Sequence, residues 1–207
     1  MRPLPRLHAI TDAEVIASPG FAARASAIAA AGSAVALHAR DRGAGGAALS
    51  TLALRLMALA RPPEAGVFVN ARPDLAAAMG AHGVQLGLND LAVEDARRIF
   101  PGGWIGCSVH TPTEATEAVA AGADFLVLGA VYATPSHPRA LPGGLALVRE
   151  VSALGRPVIA IGGITPARAV EVREAGAYGA AAISALWYAP DPASAALALL
   201  DPWMTAS

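Results

Sequence analysis

The sequence contains no lysine and only one cysteine. Its 15 basic residues are all arginines, scattered along the chain without a basic run, and the formal net charge is -1. Such a charge pattern creates no positive surface for a polyanion, so we expect no nucleic-acid partner. The single Cys107 excludes an intramolecular disulfide and any metal site built from several cysteines.

Long apolar runs are also missing, although 55% of the residues are hydrophobic and the mean hydropathy is +0.47. Charged residues or prolines interrupt every apolar stretch before the roughly 18 residues that a membrane span needs. The N-terminal residues lack the apolar segment of a signal peptide. We therefore expect a cytoplasmic protein without membrane contact, with one domain over residues 1–207 that buries a large core.

Eight short apolar runs, rich in β-branched residues, alternate with longer stretches of helical spacing. The predicted strands are 7–12, 34–40, 67–72, 83–87, 104–110, 125–132, 157–163 and 179–185. The predicted helices are 20–31, 47–60, 74–80, 91–99, 112–121, 143–154, 166–175 and 192–200. Because several runs are apolar on both faces, we predict an α/β fold, a compact single-domain (β/α)8 TIM barrel. An open doubly wound sheet is the alternative, but the glycine fingerprint expected after its first strand is missing.

The strongest motif lies at the ends of the last two strands. Active-site groups of such a barrel come from the carboxyl ends of its strands and the loops that follow. The segment IAIGGIT (159–165) ends strand seven, and AAISAL (181–186) ends strand eight. A Gly-Gly turn lets backbone N–H groups approach a ligand, and the helix N-terminus behind it favours negative charge. The pair predicts a phosphate site, although Gly162-Gly163 alone would also suit a plain tight turn.

Several segments, in this order, resemble a known superfamily. They are HAITD, VNARPDLAAAMGAHGVQLG, IGCSVHTPTEATEAVAAGADFLVLGAVYATPS, PVIAIGGITP and GAAAISAL, within residues 7–187. The set resembles thiamine phosphate synthase and its relative TenI, a thiazole tautomerase. The resemblance implies a TIM barrel that binds a thiazole phosphate of thiamine biosynthesis. The synthase joins this thiazole to an aminopyrimidine diphosphate with Mg2+ and releases pyrophosphate, whereas TenI shifts a proton in the thiazole carboxylate phosphate.

By this resemblance, the positions that hold the substrate and its phosphate are largely kept. They are Asn70, Ser108, Thr134, Gly162, Gly163, Ile183 and Ser184. Arg40 stands where the synthase has a lysine. The contact with an anion would therefore be kept, but through a planar guanidinium group instead of a compact ammonium group.

The positions that hold diphosphate and metal in the synthase are altered. Ala71 replaces one of two Mg2+-binding aspartates and Asp90 stands at the other, so the resemblance implies a weakened Mg2+ site. His137 replaces a lysine that contacts diphosphate, and a neutral histidine would hold that group less well. The proposed catalytic histidine of TenI aligns with Ala130, so the TenI signature is incomplete as well.

A proton shift in a thiazole carboxylate needs a base whose pKa lies near the working pH, and histidine suits this best. Our candidates, in order of preference, are His38 at the end of strand two, His137 in the loop after strand six and His110 at the end of strand five. Each also has an interpretation without proton transfer: a substrate-facing polar group, an exposed loop residue and a helix-capping residue, respectively. We assign no role to His8 or His82.

The altered diphosphate and metal positions favour a TenI-like thiazole tautomerase that binds a phosphorylated thiazole. A working thiamine phosphate synthase with a remodelled Mg2+-diphosphate site is the alternative, kept open by Asp90 and Arg40. A third hypothesis is a non-catalytic barrel that binds thiazole or thiamine phosphates and regulates a partner. The sequence leaves the oligomeric state open, and a small homo-oligomer would fit.

Overall fold

Eight parallel strands form a closed barrel in the order in which they occur along the chain. The computed structural model describes residues 2–60, 64–134 and 141–204. The strands are β1 (Leu7–Ile10), β2 (Val35–Ala39), β3 (Gly66–Asn70), β4 (Gly83–Leu86), β5 (Trp104–Val109), β6 (Phe125–Leu128), β7 (Val158–Ile161) and β8 (Gly179–Ala182). Because β1 also pairs with β8, no strand edge is left open. The prediction of a TIM barrel is confirmed.

Helices surround the barrel and cover its outer face. They are α1 (Ala13–Ala17), α2 (Phe21–Ala29), α3 (Gly46–Leu59), α4 (Pro73–Met79), α5 (Val93–Ile99), α6 (Pro112–Ala120), α7 (Gly144–Ser152), α8 (Pro166–Glu174), α9 (Ser184–Trp187) and α10 (Pro192–Met204). Within the described residues, no helix is both long and apolar enough to span a bilayer.

Three helices begin at capping residues that the sequence makes recognisable. Thr111 accepts a hydrogen bond from the Glu114 N–H, and Thr165 accepts one from the Arg168 N–H, each with proline in the first turn. Asp12 caps α1 in the same way. These caps fix the point at which each loop ends and each helix begins, just beyond the carboxyl end of the preceding strand.

Apolar side chains pack in two separate layers. The larger layer lies between the strands and the helices, and the smaller one fills the barrel interior around Phe68, Phe125 and Ile159. Three polar side chains, His8, His38 and Gln85, are buried among the interior residues. A buried polar group must find a hydrogen-bond partner, and these side chains find theirs among the polar residues of the barrel interior and rim.

The structure departs from the predicted elements mainly at the carboxyl ends of strands. Strand eight was expected to reach residue 185, but it ends at Ala182, and Ser184 begins the short helix α9. Helices α1 and α9 were not predicted because each is shorter than two turns and leaves little helical periodicity. The last helix runs through Pro202 to Met204, beyond the predicted end at residue 200.

Candidate active site

A small cavity lies at the carboxyl ends of β7 and β8, with a volume of about 50 Å³. The predicted phosphate-site residues that line it are Thr134, Gly162, Gly163, Ile183 and Ser184. The barrel therefore brings together residues from three separate loops, as the motif pair implied. The glycine turn and the first residues of α9 line this cavity, and such a strand-end site in a barrel suits an oxyanion.

The Gly162-Gly163 turn requires glycine for two independent reasons. Both residues have left-handed backbone, with φ of 101° and 64°. A Cβ atom on Gly162 would lie 2.8 Å from the Cα of Ala130, and one on Gly163 would lie 2.7 Å from the carbonyl oxygen of Ala133. The turn is therefore packed tightly against the β6–α7 loop, and its backbone cannot shift without moving that loop.

Three side chains that sequence reasoning missed hold this turn in place. The Arg168 guanidinium donates a hydrogen bond to the Gly163 carbonyl oxygen at 2.7 Å and lies over the Tyr132 ring, 4.4 Å from its centroid. The Tyr132 hydroxyl donates to Glu171 at 2.6 Å. Burial, and then this hydrogen bond, raises the pKa of Tyr132 to about 12, so the hydroxyl keeps its proton at neutral pH. The sequence signal was the placement of Arg168 and Glu171 one turn apart on the helix after the glycine turn.

Asn70 and Ser108 reach the same rim from β3 and β5. Gln85 on the intervening strand donates to the Ser108 Oγ at 3.1 Å. The Ser108 hydroxyl accepts this hydrogen bond, so its own proton is available for an acceptor on a ligand. The oxygen of the same Gln85 amide, Oε1, is buried and has no hydrogen-bond partner among the described residues.

Arg40 directly follows β2 on this rim, and its guanidinium is partly buried. The backbone N–H of Arg40 donates to the Thr11 hydroxyl at 3.0 Å, which ties the loop after β2 to the end of β1. Burial, and then the nearby Arg42, lowers the pKa of Arg40, whereas Asp12 and Asp41 raise it. A partly desolvated guanidinium gains from an anionic ligand, so Arg40 is placed to hold phosphate or diphosphate oxygens.

His38, our first candidate for a base, is completely buried in the barrel interior. Its Nε2 lies 2.7 Å from Nδ1 of His8, and its Nδ1 lies 3.1 Å from Oδ1 of Asn70. Burial is the largest cause that lowers the pKa of His38 to about 4, and Arg40 lowers it further. The ring is therefore neutral at neutral pH, and both of its nitrogens have partners within the chain. Proton transfer by His38 stays a prediction.

The other two histidine candidates differ in their surroundings. The side chain of His110 is 52% exposed, and its Nδ1 lies 3.1 Å from the Glu114 carboxylate. The same carboxylate accepts from the His110 backbone N–H at 2.7 Å, just before the cap of α6. Thr111 is the N-cap of α6, so His110 stands one residue before the cap, where Glu114 holds it. Proton transfer by His110 stays a prediction. His137 lies outside the described residues.

The oxygen ligands for a magnesium ion are few. Asp90 is held by the Gly87 N–H, which donates to its Oδ2 at 2.6 Å, and its other oxygen remains for a cation. Ala71 offers no side-chain oxygen and has left-handed backbone, with φ of 66°. Among the described residues, no group of three or more His, Cys, Asp and Glu side chains could hold a metal. This donor set fits Mg2+ only when ligand phosphates and water supply most of the coordination.

A larger cavity, of about 590 Å³, opens at the opposite end of the barrel. Arg2, His82 and Trp104 are among its lining residues, and the Trp104 indole donates to the Arg2 carbonyl oxygen at 2.9 Å. None of the predicted site residues that the structure describes is among its lining residues. Because the amino-terminal end of such a barrel is generally devoted to stability, size alone does not make this cavity the active site.

Comparison with known proteins agrees with the geometry of the rim. A family model described as Thiamine monophosphate synthase matches residues 7–186. The bifunctional thiamine biosynthesis protein ThiM/ThiE of Symbiobacterium thermophilum is 51% identical over 72% of this chain, and the match spans only 32% of that longer protein. A thiamine-phosphate synthase of Methanoculleus marisnigri is 41% identical over 94% of this chain and 93% of that protein.

A solved structure extends the likeness to the whole barrel. Thiamine phosphate pyrophosphorylase from Pyrococcus furiosus superposes with a TM-score of 0.79 at 33% identity, covering 95% of this chain and 94% of that one. These relatives favour the synthase, our alternative hypothesis, over the TenI-like tautomerase. By the extent of the family match and of these similarities, the chain belongs to the thiamine monophosphate synthase family.

Proposed function

We propose that the protein is a thiamine phosphate synthase, which joins an aminopyrimidine diphosphate to a thiazole phosphate and releases pyrophosphate. One observation carries the proposal: two separate anion-binding features share one rim of the barrel. The cavity at the ends of β7 and β8 would hold the thiazole phosphate. Arg40, after β2, would hold the diphosphate of the second substrate.

The chemistry of the synthase also suits the side chains present. In this reaction the lone pair of the thiazole nitrogen forms the new C–N bond, and pyrophosphate departs with the electrons of the broken C–O bond. The protein must therefore stabilise negative charge on the leaving group, and a guanidinium in a partly buried position does this well. No general base is needed, because the attacking nitrogen carries no proton to remove.

A tautomerase has a different requirement, which the described residues support less well. It must move a proton on and off carbon, so a titrating group has to face the ligand. His38 has both ring nitrogens engaged within the barrel, and Ala130 offers no imidazole at the TenI position. The chemistry of the side chains present therefore favours the synthase over the tautomerase, in addition to the similarity to known synthases.

Magnesium would enter this reaction together with the diphosphate. When bound, the ion would neutralise charge on the diphosphate oxygens. Asp90 is the residue that would hold it, with phosphate oxygens and water as the remaining ligands. The rest of the site acts through its own side chains: Arg40 binds the diphosphate, and the glycine turn binds the thiazole phosphate.

The test is a direct assay of the purified protein with Mg2+ and both substrates, following thiamine phosphate and pyrophosphate. We expect turnover that disappears when either substrate is omitted. Replacing Arg40 by Met should reduce turnover strongly, whereas the same change at Arg173, in the last turn of α8, should not. Conversion of thiazole carboxylate phosphate without synthase turnover would support the tautomerase instead, and tight binding without either reaction would support a non-catalytic barrel.

A second carboxylate at position 71 should strengthen the metal site. Ala71 already has the left-handed backbone that aspartate tolerates better than alanine, and its N–H is anchored to the Gln85 carbonyl oxygen at 2.9 Å. We expect Ala71→Asp to lower the Mg2+ concentration needed for half-maximal turnover by roughly 10-fold. Titration of Mg2+ at fixed substrate concentrations measures this.

The matched control is Ala71→Gly, which relieves the backbone strain without adding an oxygen ligand. It should raise the free energy of unfolding by about 1 kcal/mol and leave the Mg2+ dependence unchanged. If the Asp and Gly variants show the same Mg2+ dependence, position 71 does not contribute to a metal site in this protein.

A further inference from the structure

Two histidines form a hydrogen-bonded chain inside the barrel, between a backbone carbonyl at one end and Asn70 at the rim. His8 Nε2 lies 3.1 Å from the Pro5 carbonyl oxygen, and His8 Nδ1 lies 2.7 Å from His38 Nε2. His38 Nδ1 then lies 3.1 Å from the Asn70 side-chain amide. The synthase chemistry proposed above does not use this chain of groups, and the sequence analysis assigned no role to His8.

Both rings are enclosed by apolar side chains. His8 and His38 each have no solvent exposure, and the rings of Phe68 and Phe125 pack against them. Burial, and then the proximity of His38, lowers the pKa of His8 well below its usual value. Arg40 also acts against a charge on His38. With two neutral rings, each histidine carries one N–H proton and one bare nitrogen.

The carbonyl of Pro5 decides where these protons lie. A carbonyl oxygen only accepts, so His8 Nε2 must carry the proton of His8, and its Nδ1 is bare. The bare nitrogen must receive a hydrogen bond, so His38 Nε2 carries the proton of His38. That leaves His38 Nδ1 bare, facing Asn70.

A bare nitrogen needs a donor, and of the two ends of the Asn70 amide only the NH2 group can supply one. With the amide oxygen at His38 Nδ1, two acceptors would face each other. A half-turn of the amide occupies the same space and restores the hydrogen bond. The opposite proton order would instead place a bare His8 nitrogen against the Pro5 carbonyl oxygen at 3.1 Å, with no donor between them.

We propose that His8 and His38 are positioning residues that fix the orientation of the Asn70 amide, so that its carbonyl oxygen faces the ligand. Every proton of the chain then points away from the rim, toward Pro5. The rim presents an acceptor at Asn70, while Ser108 on β5 keeps a hydroxyl proton to donate. Asn70 would therefore select a ligand group that donates a hydrogen bond, such as an amine.

The claim about the amide concerns the free protein and does not depend on the proposed function. Only the claim that this oxygen contacts the aminopyrimidine substrate rests on the synthase proposal. The experiment below separates the two, because its first readout needs no substrate.

The first readout is the tautomeric state of the five histidines in protein labelled with 15N-histidine, measured by long-range 1H–15N correlation spectra at pH 7. We expect both buried rings to be neutral with the proton on Nε2. A charged His38, or a proton on its Nδ1, would overturn the proposal whether or not the protein has synthase activity.

The second readout uses a variant in which the His38 proton should move to the other ring nitrogen. In His8→Phe the acceptor for His38 Nε2 is gone, so the His38 proton should move to Nδ1 and the Asn70 amide should turn its NH2 group to the ligand. We expect KM for the aminopyrimidine diphosphate to rise about 10-fold, with a much smaller change in kcat. His8→Gln, whose amide can accept from His38 and donate to Pro5, should restore the original KM.

Phe125→Leu is the matched control, because the Phe125 ring contacts His8 without a hydrogen bond. It should lower stability while keeping the His38 tautomer and KM. If His8→Phe and Phe125→Leu change KM by the same factor, substrate binding at the rim depends on the packing of the barrel interior and not on the positions of the histidine protons. If the His38 tautomer changes in His8→Phe and KM stays the same, the orientation of the Asn70 amide does not affect the binding of the aminopyrimidine diphosphate.

Discussion

Replacing Gly163 by alanine should reduce kcat/KM for the thiazole phosphate by about 100-fold, since small displacements of groups that position a substrate have effects of this size. The new methyl group would lie 2.7 Å from the Ala133 carbonyl oxygen and would force the turn away from the β6–α7 loop. Left-handed backbone adds a cost of about 1 kcal/mol for alanine relative to glycine. The measurement is the dependence of the initial rate on thiazole phosphate concentration.

Gly155 offers a close control for this substitution. It has a similar left-handed φ of 76°, but a Cβ atom there would meet no other atom within 4 Å. Gly155 precedes β7, at the end of the barrel away from the rim. Gly155→Ala should therefore cost similar stability and leave kcat/KM unchanged. Equal kcat/KM values for the two variants would show that the glycine turn does not position the phosphate.

Acid should destabilise the fold through the two buried histidines, and His38 alone should account for about 2 kcal/mol between pH 7 and pH 5. In the unfolded chain, histidine takes up a proton near pH 6.5, whereas the pKa of His38 in the folded protein is about 4 and burial also holds the pKa of His8 well below its usual value. The unfolded state therefore binds more protons in this range. The stabilisation is fully present above pH 6.5 and is lost as the pH drops, and His8 adds to the loss in the same direction.

Urea unfolding at pH 7, 6 and 5 measures this slope, in a range where most carboxylates change little. His8→Gln removes one of the two rings and should make the slope less steep. Phe125→Leu, which alters the same interior packing without removing an imidazole, should lower stability equally at each pH. A slope that is the same in the native protein and in His8→Gln would mean that His8 does not resist protonation in the folded state.

The location of the cavity at the ends of β7 and β8 followed from local sequence information. A Gly-Gly pair after one apolar run indicates a turn with positive φ, and the order of the strands places that turn beside the serine that follows the next run. Both inferences depend on few residues. The interactions that support the turn did not follow in this way. Arg168 and Glu171 lie on α8 and Tyr132 lies in the β6–α7 loop, and only the packing of this helix against that loop brings them together.

The histidine chain shows a second limit of sequence reasoning. Alternation along a strand places His8 on the same face as Ile10, and His38 on the same face as Ala36. Because β1 and β2 are apolar on both faces, the pattern does not say which face points into the barrel. We therefore considered His38 as a ligand-facing base and assigned no role to His8, although the two rings meet in the interior.

The sequence by itself determined the eightfold alternation of strands and helices and the glycine pair of the turn after β7, and Ala71 as a residue without a side-chain oxygen. These features are local, since they depend on periodicity, backbone sterics and side-chain identity. Only the tertiary structure decided the partners of His38 and the pKa of its ring. The reason is that strand register joins residues 30 positions apart and burial sets the cost of charge, and neither quantity can be read from neighbouring residues.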